Sequence, residues 1–122
     1  MLLSGCSVIH NKQREIDLDN TLKLYQKAWR WGEFETILAL HKQKPEPPDM
    51  SLLTRLKELK ITRYVETKRY SPSPTELYQI AEIYYYLQPG VTEQHQTHNQ
   101  LWRYDETAER WYIDGDLPAL LH

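Results

Sequence analysis

One carboxylate in the sequence stands where it could act as an acid or a base. Glu82 lies within a stretch of alternating aromatic and aliphatic residues that also contains Tyr84 and Tyr86. Burial among such side chains would raise the pKa of this carboxyl group and suit it to proton transfer. The competing interpretation is that Glu82 lies on an exposed face and pairs with a cation across the strands, such as Arg63 or Lys68. The sequence favours this second interpretation.

Three more aromatic residues complete the candidate pocket or interface. Trp102 and Tyr104 alternate along one predicted strand and therefore share a face, and Trp111 is expected across from them on the next strand. Most of these rings are expected to pack in the core and the sheet, whereas an exposed remainder would form a binding patch. No residue is assigned a catalytic role.

The histidines do not suggest a metal site. His95 and His98 are three residues apart in a predicted strand, so alternation points them to opposite faces. His10 lies close to the start of the chain and His122 ends it, so surface histidines are expected. The four glycines form neither a phosphate-binding loop nor a nucleophile elbow. We expect no metal and no cofactor.

The single cysteine offers a different chemistry. Cys6 follows Leu3, Ser4 and Gly5, and one thiol cannot form an internal disulfide. Leucine, two small residues and cysteine resemble the lipobox of bacterial lipoproteins. In that family, signal peptidase requires the small residues and the cysteine sulfur receives diacylglycerol. Further acylation, for example with palmitate, gives the two or three chains that anchor a protein stably.

The segment around Cys6 departs from a complete signal peptide, because only five residues precede the cysteine and none is charged. It is interpreted as a signal-peptide remnant; the alternative is a chance match at a disordered terminus. Ser7, rather than Asp, follows the cysteine, which resembles lipoproteins sorted to the outer membrane and facing the periplasm. Residues 1–17 are therefore expected to be a lipobox remnant and a flexible tether.

Composition indicates one ordinary globular domain. The chain has 122 residues, of which 40% are hydrophobic and 26% charged, and no stretch approaches the roughly 18 apolar residues of a spanning helix. A net charge of -2 provides no cationic field for phosphate backbones, so nucleic acid is not an expected partner. Nine tyrosines and four tryptophans suit surfaces that are apolar on one side and wet on the other.

Helical periodicity dominates the first half of the chain. Asp17 or Asp19 is expected to cap a first helix, which Gly32 ends. The apolar positions that share one face of this helix are Leu18, Leu22, Tyr25 and Trp29. A second helix is expected from Glu33, with Phe34, Ile37, Leu38 and His41 on one side. Three prolines, Pro45, Pro47 and Pro48, predict an extended connector, and a third helix is expected over residues 50–59.

Strand periodicity dominates the second half, with strands expected over residues 60–70, 76–87, 92–104 and 109–114. In the first strand, alternation places Ile61 and Val65 on one face and Tyr64 and Tyr70 on the other. The second strand is apolar or aromatic on both faces, which predicts a central strand covered on both sides.

Helices followed by an antiparallel meander predict an α+β fold. The N-terminal helices are expected to pack on the concave face of a curved, mostly antiparallel four-stranded sheet, with residues 18–122 as one domain. Five stretches, residues 25–34, 61–64, 100–104, 110–115 and 117–118, resemble the nuclear transport factor 2-like (cystatin-like) fold. More narrowly, they resemble a group of uncharacterised bacterial lipoproteins with that fold. This resemblance implies a half-open cup and carries no established activity.

Two functions remain open. The first is a lipid-anchored periplasmic module without enzymatic activity, whose expected partners are the membrane, a second copy bound through the sheet and another envelope protein. The alternative is a small-molecule-binding cup with weak or unknown enzymatic activity, centred on Glu82. The first requires Tyr25, Trp29 and Phe34 to fill the cup and aromatic residues to be exposed opposite. The second requires an open pocket with an inward carboxylate or histidine.

Overall fold

The computed structural model describes residues 2–41, 50–118 and 120. The elements in chain order are α1 (Leu2–Trp31), α2 (Phe34–Leu40), α3 (Met50–Leu56), β1 (Leu59–Ser73), β2 (Glu76–Leu87), β3 (Gln94–Asp105) and β4 (Arg110–Ile113). The strands form one antiparallel sheet in the order β1-β2-β3-β4. This confirms the predicted α+β class, with helices on one face of a curved, four-stranded antiparallel sheet. The expected proline connector lies outside the described residues.

Helix α1 is longer than the sequence predicted. It begins at Leu2 instead of Asp17 or Asp19, so residues 7–17, which were expected to form a flexible tether, are helical. Tertiary contact explains part of the difference, because the indole Nε1 of Trp111 donates a hydrogen bond to the carbonyl oxygen of Arg14 at 2.9 Å. Cys6 falls within this helix. None of the described helices combines the length and apolar character needed to cross a membrane.

Gly32 ends α1 as predicted. Its φ of +71° is a left-handed conformation that glycine adopts without strain. The amide of Glu33 then donates to the carbonyl of Ala28 at 2.8 Å, which is a bond that closes helix C-termini. The turn sends α2 back toward the sheet, where Ile37 is buried and His41 forms an isolated bridge with Ile113.

The two faces of the sheet have different environments. We call the face that packs against the helices the inner face and the opposite one the outer face. Residues 77, 79, 81, 83 and 85 of β2 are buried on the inner face, as the predicted alternation requires. In β1, bulges between Ile61 and Arg63 and between Glu66 and Lys68 reverse the alternation. Tyr64 therefore joins Ile61 on the inner face, and the prediction that Ile61 and Val65 share a face is wrong.

Large side chains fill the space between the helices and the inner face. Tyr25 and Trp29 of α1 are 0% and 1% exposed, and Phe34 is partly buried with its ring centroid 6.4 Å from that of Trp29. Tyr25 meets the fully buried Trp102 edge to face, with centroids 5.1 Å apart. Burial of each such ring stabilises the fold by roughly 2 kcal/mol. The expected filling of the cup is therefore observed.

The outer face lacks a comparable cover within the described part of the chain. Strand β2 is central, as predicted, but Tyr78 on its outer face is 46% exposed, and Tyr70 beside it on β1 is 67% exposed. The expectation that both faces of β2 are covered is therefore wrong. A face that carries exposed aromatic side chains without a cover is a candidate surface for binding.

Candidate functional site

The six residues singled out from the sequence do not form one site. In β2, the even-numbered residues point to the outer face. In β3, the even-numbered residues point to the inner face, because Trp102 pairs with the inward-pointing Leu77. The outer-face residues are Glu82, Tyr84 and Tyr86. The inner-face residues are Trp102, Tyr104 and Trp111.

The inner three belong to the core and its rim. The Nε1 of Trp102 donates to Oε1 of Gln100 at 2.8 Å. Tyr104 and Trp111 are register partners on β3 and β4, with ring centroids 5.4 Å apart. The predicted shared face of these rings is confirmed, and their contacts attach α1 to the sheet through Arg14.

On the outer face, the side chain of Glu82 contacts side chains of β3. Its Oε2 accepts a hydrogen bond from the Thr97 hydroxyl at 2.9 Å and pairs with Nε2 of His95. The expected partners Arg63 and Lys68 lie on β1, and neither is the one used. Glu82 is thus held by polar neighbours on the solvent side, and it does not point into the cup.

A stacked row crosses the outer face next to Glu82. The guanidinium carbon of Arg63 lies 4.2 Å from the ring centroid of Tyr84, and His95 stacks on the same ring at 4.6 Å with planes 22° apart. These three residues are register partners on β1, β2 and β3. Tyr86, beside Lys60 in the next row, is partly buried.

The remaining outer face is more apolar. Tyr70, Tyr78 and Leu101 form one row across three strands, and Ile80 lies in the neighbouring row. We call these four residues the outer-face patch. An open groove of about 620 Å³ lies here, lined by Lys68, Arg69, Tyr70, Tyr78, Gln79, Ile80, Asn99 and Gln100. The sequence signal for the patch was a central strand that is apolar on both faces, which was interpreted as a doubly covered strand.

A buried polar cluster on the inner face was missed by the sequence analysis. Gln100 is its centre: its Oε1 accepts from Trp102 at 2.8 Å and from Gln79 at 3.3 Å. Its Nε2 donates to the Tyr64 hydroxyl at 2.7 Å and contacts Nδ1 of His98 at 3.2 Å. Buried polar groups are stable when they satisfy one another in this way.

Two histidines are buried here: His98 belongs to this cluster, and His41 lies near it against Tyr25. Nδ1 of His41 lies 2.9 Å from the Gly115 carbonyl, so it carries the proton, and Nε2 accepts from the Tyr25 hydroxyl at 2.9 Å. Burial lowers the pKa of His41, and burial together with nearby His41 lowers the pKa of His98 to about 4. Burial also raises the pKa of Tyr25 and of Tyr64. The neutral His41 ring is therefore fixed in one tautomer.

The expectation of surface histidines is correct for His95 and wrong for His98, which is 6% exposed. The predicted opposite faces of these two residues are confirmed. Within residues 2–41, 50–118 and 120, no group of three histidine, cysteine, aspartate or glutamate side chains is arranged to hold a metal ion.

Comparison with known proteins adds a structural likeness. Neither a protein-family model nor a curated protein matches the chain. Among solved structures, the chain is similar to a protein from Xanthomonas campestris pv. campestris that has been proposed to be a polyketide cyclase. The two share 14% sequence identity with a TM-score of 0.48, over 87% of this chain and 93% of that chain.

Proposed function

We propose that the protein is a binding module of the bacterial cell envelope that carries out no catalysis. The distribution of aromatic side chains is the observation that carries this proposal. Tyr25 and Trp29 occupy the space between α1 and the inner face, whereas Tyr70 and Tyr78 are exposed on the outer face. Tyrosine is enriched among the residues that dominate binding interfaces. The outer face is therefore the proposed binding surface.

The position of Glu82 supports a role without catalysis. A general base must reach its substrate within a sheltered site. Glu82 instead lies on the open face and is engaged by Thr97 and His95.

Site-specific photo-crosslinking in cells tests the binding surface. A benzoylphenylalanine at position 78 should form adducts, whereas the same residue at position 31 should not. Trp31 is the matched control, because it is 73% exposed but lies at the end of α1 and outside the sheet. Adducts from both positions at equal yield, or from neither, would contradict the proposal.

The first partner to look for is a second copy of the chain. A β2 strand of 12 residues is about 40 Å long, and three strands span about 15 Å, which gives roughly 600 Å² of projected face. Because side chains protrude from the plane of the sheet, the accessible area is larger than this projected area and close to the roughly 800 Å² per partner of a standard interface. An adduct of twice the monomer mass would identify a second copy, and another mass would identify a different envelope protein.

Attachment through Cys6 is the second half of the proposal, and the sequence around the cysteine supports it. Metabolic labelling with palmitate should mark the wild-type protein and its Ser7→Ala variant, but not Cys6→Ser. If the rule for the residue after the cysteine applies, Ser7→Asp should move the protein from the outer to the inner membrane. Unmodified Cys6 in soluble material would refute the anchor.

The buried histidine pair favours a second candidate, a small-molecule-binding cup with weak enzymatic activity. Both rings contact Tyr25, and buried histidines with displaced pKa values are common at functional sites. Both rings are already hydrogen-bonded, so a ligand would have to displace Gly115 or Gln100. An imidazole NMR signal of His98 that shifts on adding a small molecule, while that of His95 does not, would favour this candidate.

A further inference from the structure

The groove in the outer face has two aromatic walls next to one cation. Tyr70 and Tyr78 are register partners on adjacent strands, so their Cβ atoms are about 5 Å apart. Lys68, Ile80 and Asn99 form the next row. Two phenol side chains, an aliphatic side chain and two polar donors thus line the same groove.

The groove opens on the outer face and not into the cup. All eight lining residues belong to β1, β2 and β3, and none belongs to a helix. Alternation directs the side chains of Arg69, Gln79 and Gln100 inward, so these three contribute backbone to the floor.

Lys68 is the uncompensated charge of this region. Arg69 pairs with Glu66, and Arg103 pairs with Glu76 and with Asp114. Within the described part of the chain, the ammonium group of Lys68 makes no ion pair. The groove therefore presents one available positive charge beside exposed rings.

We propose that this groove binds a small organic anion with a flat, ring-shaped apolar body, an inference that rests on the proposed role of the outer face as the binding surface. The Tyr70 and Tyr78 rings would take the apolar body by stacking. The Lys68 ammonium group and the side-chain amide of Asn99 would bind the anionic group by donating hydrogen bonds to it. A volume of about 620 Å³ is within the range of small-molecule sites.

Two fluorescent dyes with nearly the same rings test the proposal. 8-Anilinonaphthalene-1-sulfonate carries an anion, and N-phenyl-1-naphthylamine is neutral. Titrations are made at a protein concentration where sedimentation shows a monomer, because a dimer through this face would cover the groove. The folded protein should bind the sulfonate dye more tightly than the neutral dye.

Three variants assign the contributions. Lys68→Gln should lower the affinity for the sulfonate dye by about fivefold to tenfold and change the affinity for the neutral dye by no more than about twofold. Lys60→Gln, a matched lysine on the outer face of the same strand, should leave both affinities unchanged. Tyr78→Ser should lower the affinity for both dyes. Circular dichroism confirms that each variant is folded.

The contrary outcomes are distinct. Loss of both affinities in Tyr78→Ser, with no effect of Lys68→Gln, would overturn the anionic ligand and leave the outer face as a binding surface. Equal weakening by Lys68→Gln and Lys60→Gln would overturn the groove as the site of recognition. Unchanged affinities in Tyr78→Ser would place the dyes elsewhere and remove support from the outer face itself.

Discussion

The hydroxyl of Tyr25 lies 2.9 Å from Nε2 of His41, and this bond connects the first helix to the end of the second across the inside of the fold. The other nitrogen of His41 binds the Gly115 carbonyl. One neutral imidazole thus joins α1 to the segment that follows β4. The neutral ring presents an acceptor at Nε2, and protonation of His41 would turn Nε2 into a donor, so the Tyr25 hydroxyl would have to accept the bond instead of donating it.

The free energy of unfolding should decrease in acid, because burial lowers the pKa of His98 in the folded protein. The unfolded chain protonates His98 near pH 6.5, whereas the folded protein does so near pH 4. Unfolding takes up a proton in this window, so the stabilisation is complete above pH 6.5 and is lost as the pH falls to about 4. The loss attributable to His98 is on the order of 3 kcal/mol. Chemical denaturation at several pH values measures it.

The matched variants for this experiment are His98→Gln and His95→Gln. The first should reduce the dependence of the unfolding free energy on pH, and part of the remainder comes from His41, whose pKa burial also lowers. The second should reduce it less, because His95 is partly exposed. The same slope in both variants would show that His98 does not govern acid stability.

Gln100 should contribute more to stability through its hydrogen bonds than the Tyr64 hydroxyl does. Gln100→Leu would leave the indole of Trp102 and the amide of Gln79 without their acceptor, at a cost of about 3 kcal/mol. Tyr64→Phe removes one acceptor and should cost about 1 kcal/mol. Urea denaturation of both variants at neutral pH gives the comparison. Equal losses would mean that the cluster contributes no more than its single bonds.

The same cluster shows where sequence reasoning reached its limit. Strand β2 was predicted with its observed bounds, because its run of apolar and aromatic residues lies between two proline-containing turns. Strand β3 is also half buried, but its inner positions include His98 and Gln100, which read as solvent-facing. Polar side chains that satisfy one another inside a fold have no distinctive periodicity, so only their register reveals them.

Bulges and tertiary contacts account for the other differences. A bulge adds one residue without a signature in the sequence, and it turned Tyr64 inward. Residues 7–17 lack the apolar stripe of a packed helix. Helix α1 nevertheless includes them on the N-terminal side of Asp17, and the hydrogen bond from Trp111 to Arg14 attaches this part to the sheet. By contrast, the face formed by Leu22, Tyr25 and Trp29 was predictable because its spacing is regular.

The bond between Trp111 and Arg14 can be tested directly. Trp111→Phe keeps a ring at this buried position but removes the indole N–H, and should lower the free energy of unfolding by about 2 kcal/mol. Hydrogen exchange should become faster in the amides of α1 around Arg14. Trp31→Phe is the control and should change neither quantity, since Trp31 is largely exposed. Unchanged exchange in Trp111→Phe would show that the bond does not hold the helix.

The pair formed by Glu82 and His95 should contribute little to stability. Both side chains are partly exposed, and such pairs are worth about 1 kcal/mol or less. Glu82→Gln should therefore stay within about 1 kcal/mol of the wild type in urea denaturation. Thr97→Val, which removes the other donor, serves as the comparison. A loss above about 3 kcal/mol would indicate that Glu82 has a structural role that its exposure does not explain.

Self-association through the outer face should depend on Tyr70. If a second copy binds there, burial of a side chain that is 67% exposed contributes to the contact, and Tyr70→Ser should weaken dimerisation by about tenfold or more. Val91→Ser is the control, since Val91 is 82% exposed but lies in the connection between β2 and β3. Sedimentation equilibrium over a range of concentrations provides the dissociation constants. Equal dissociation constants for the wild type and Tyr70→Ser would mean that a dimer, if formed, uses another surface, because no interface centred on the outer-face patch can exclude this ring.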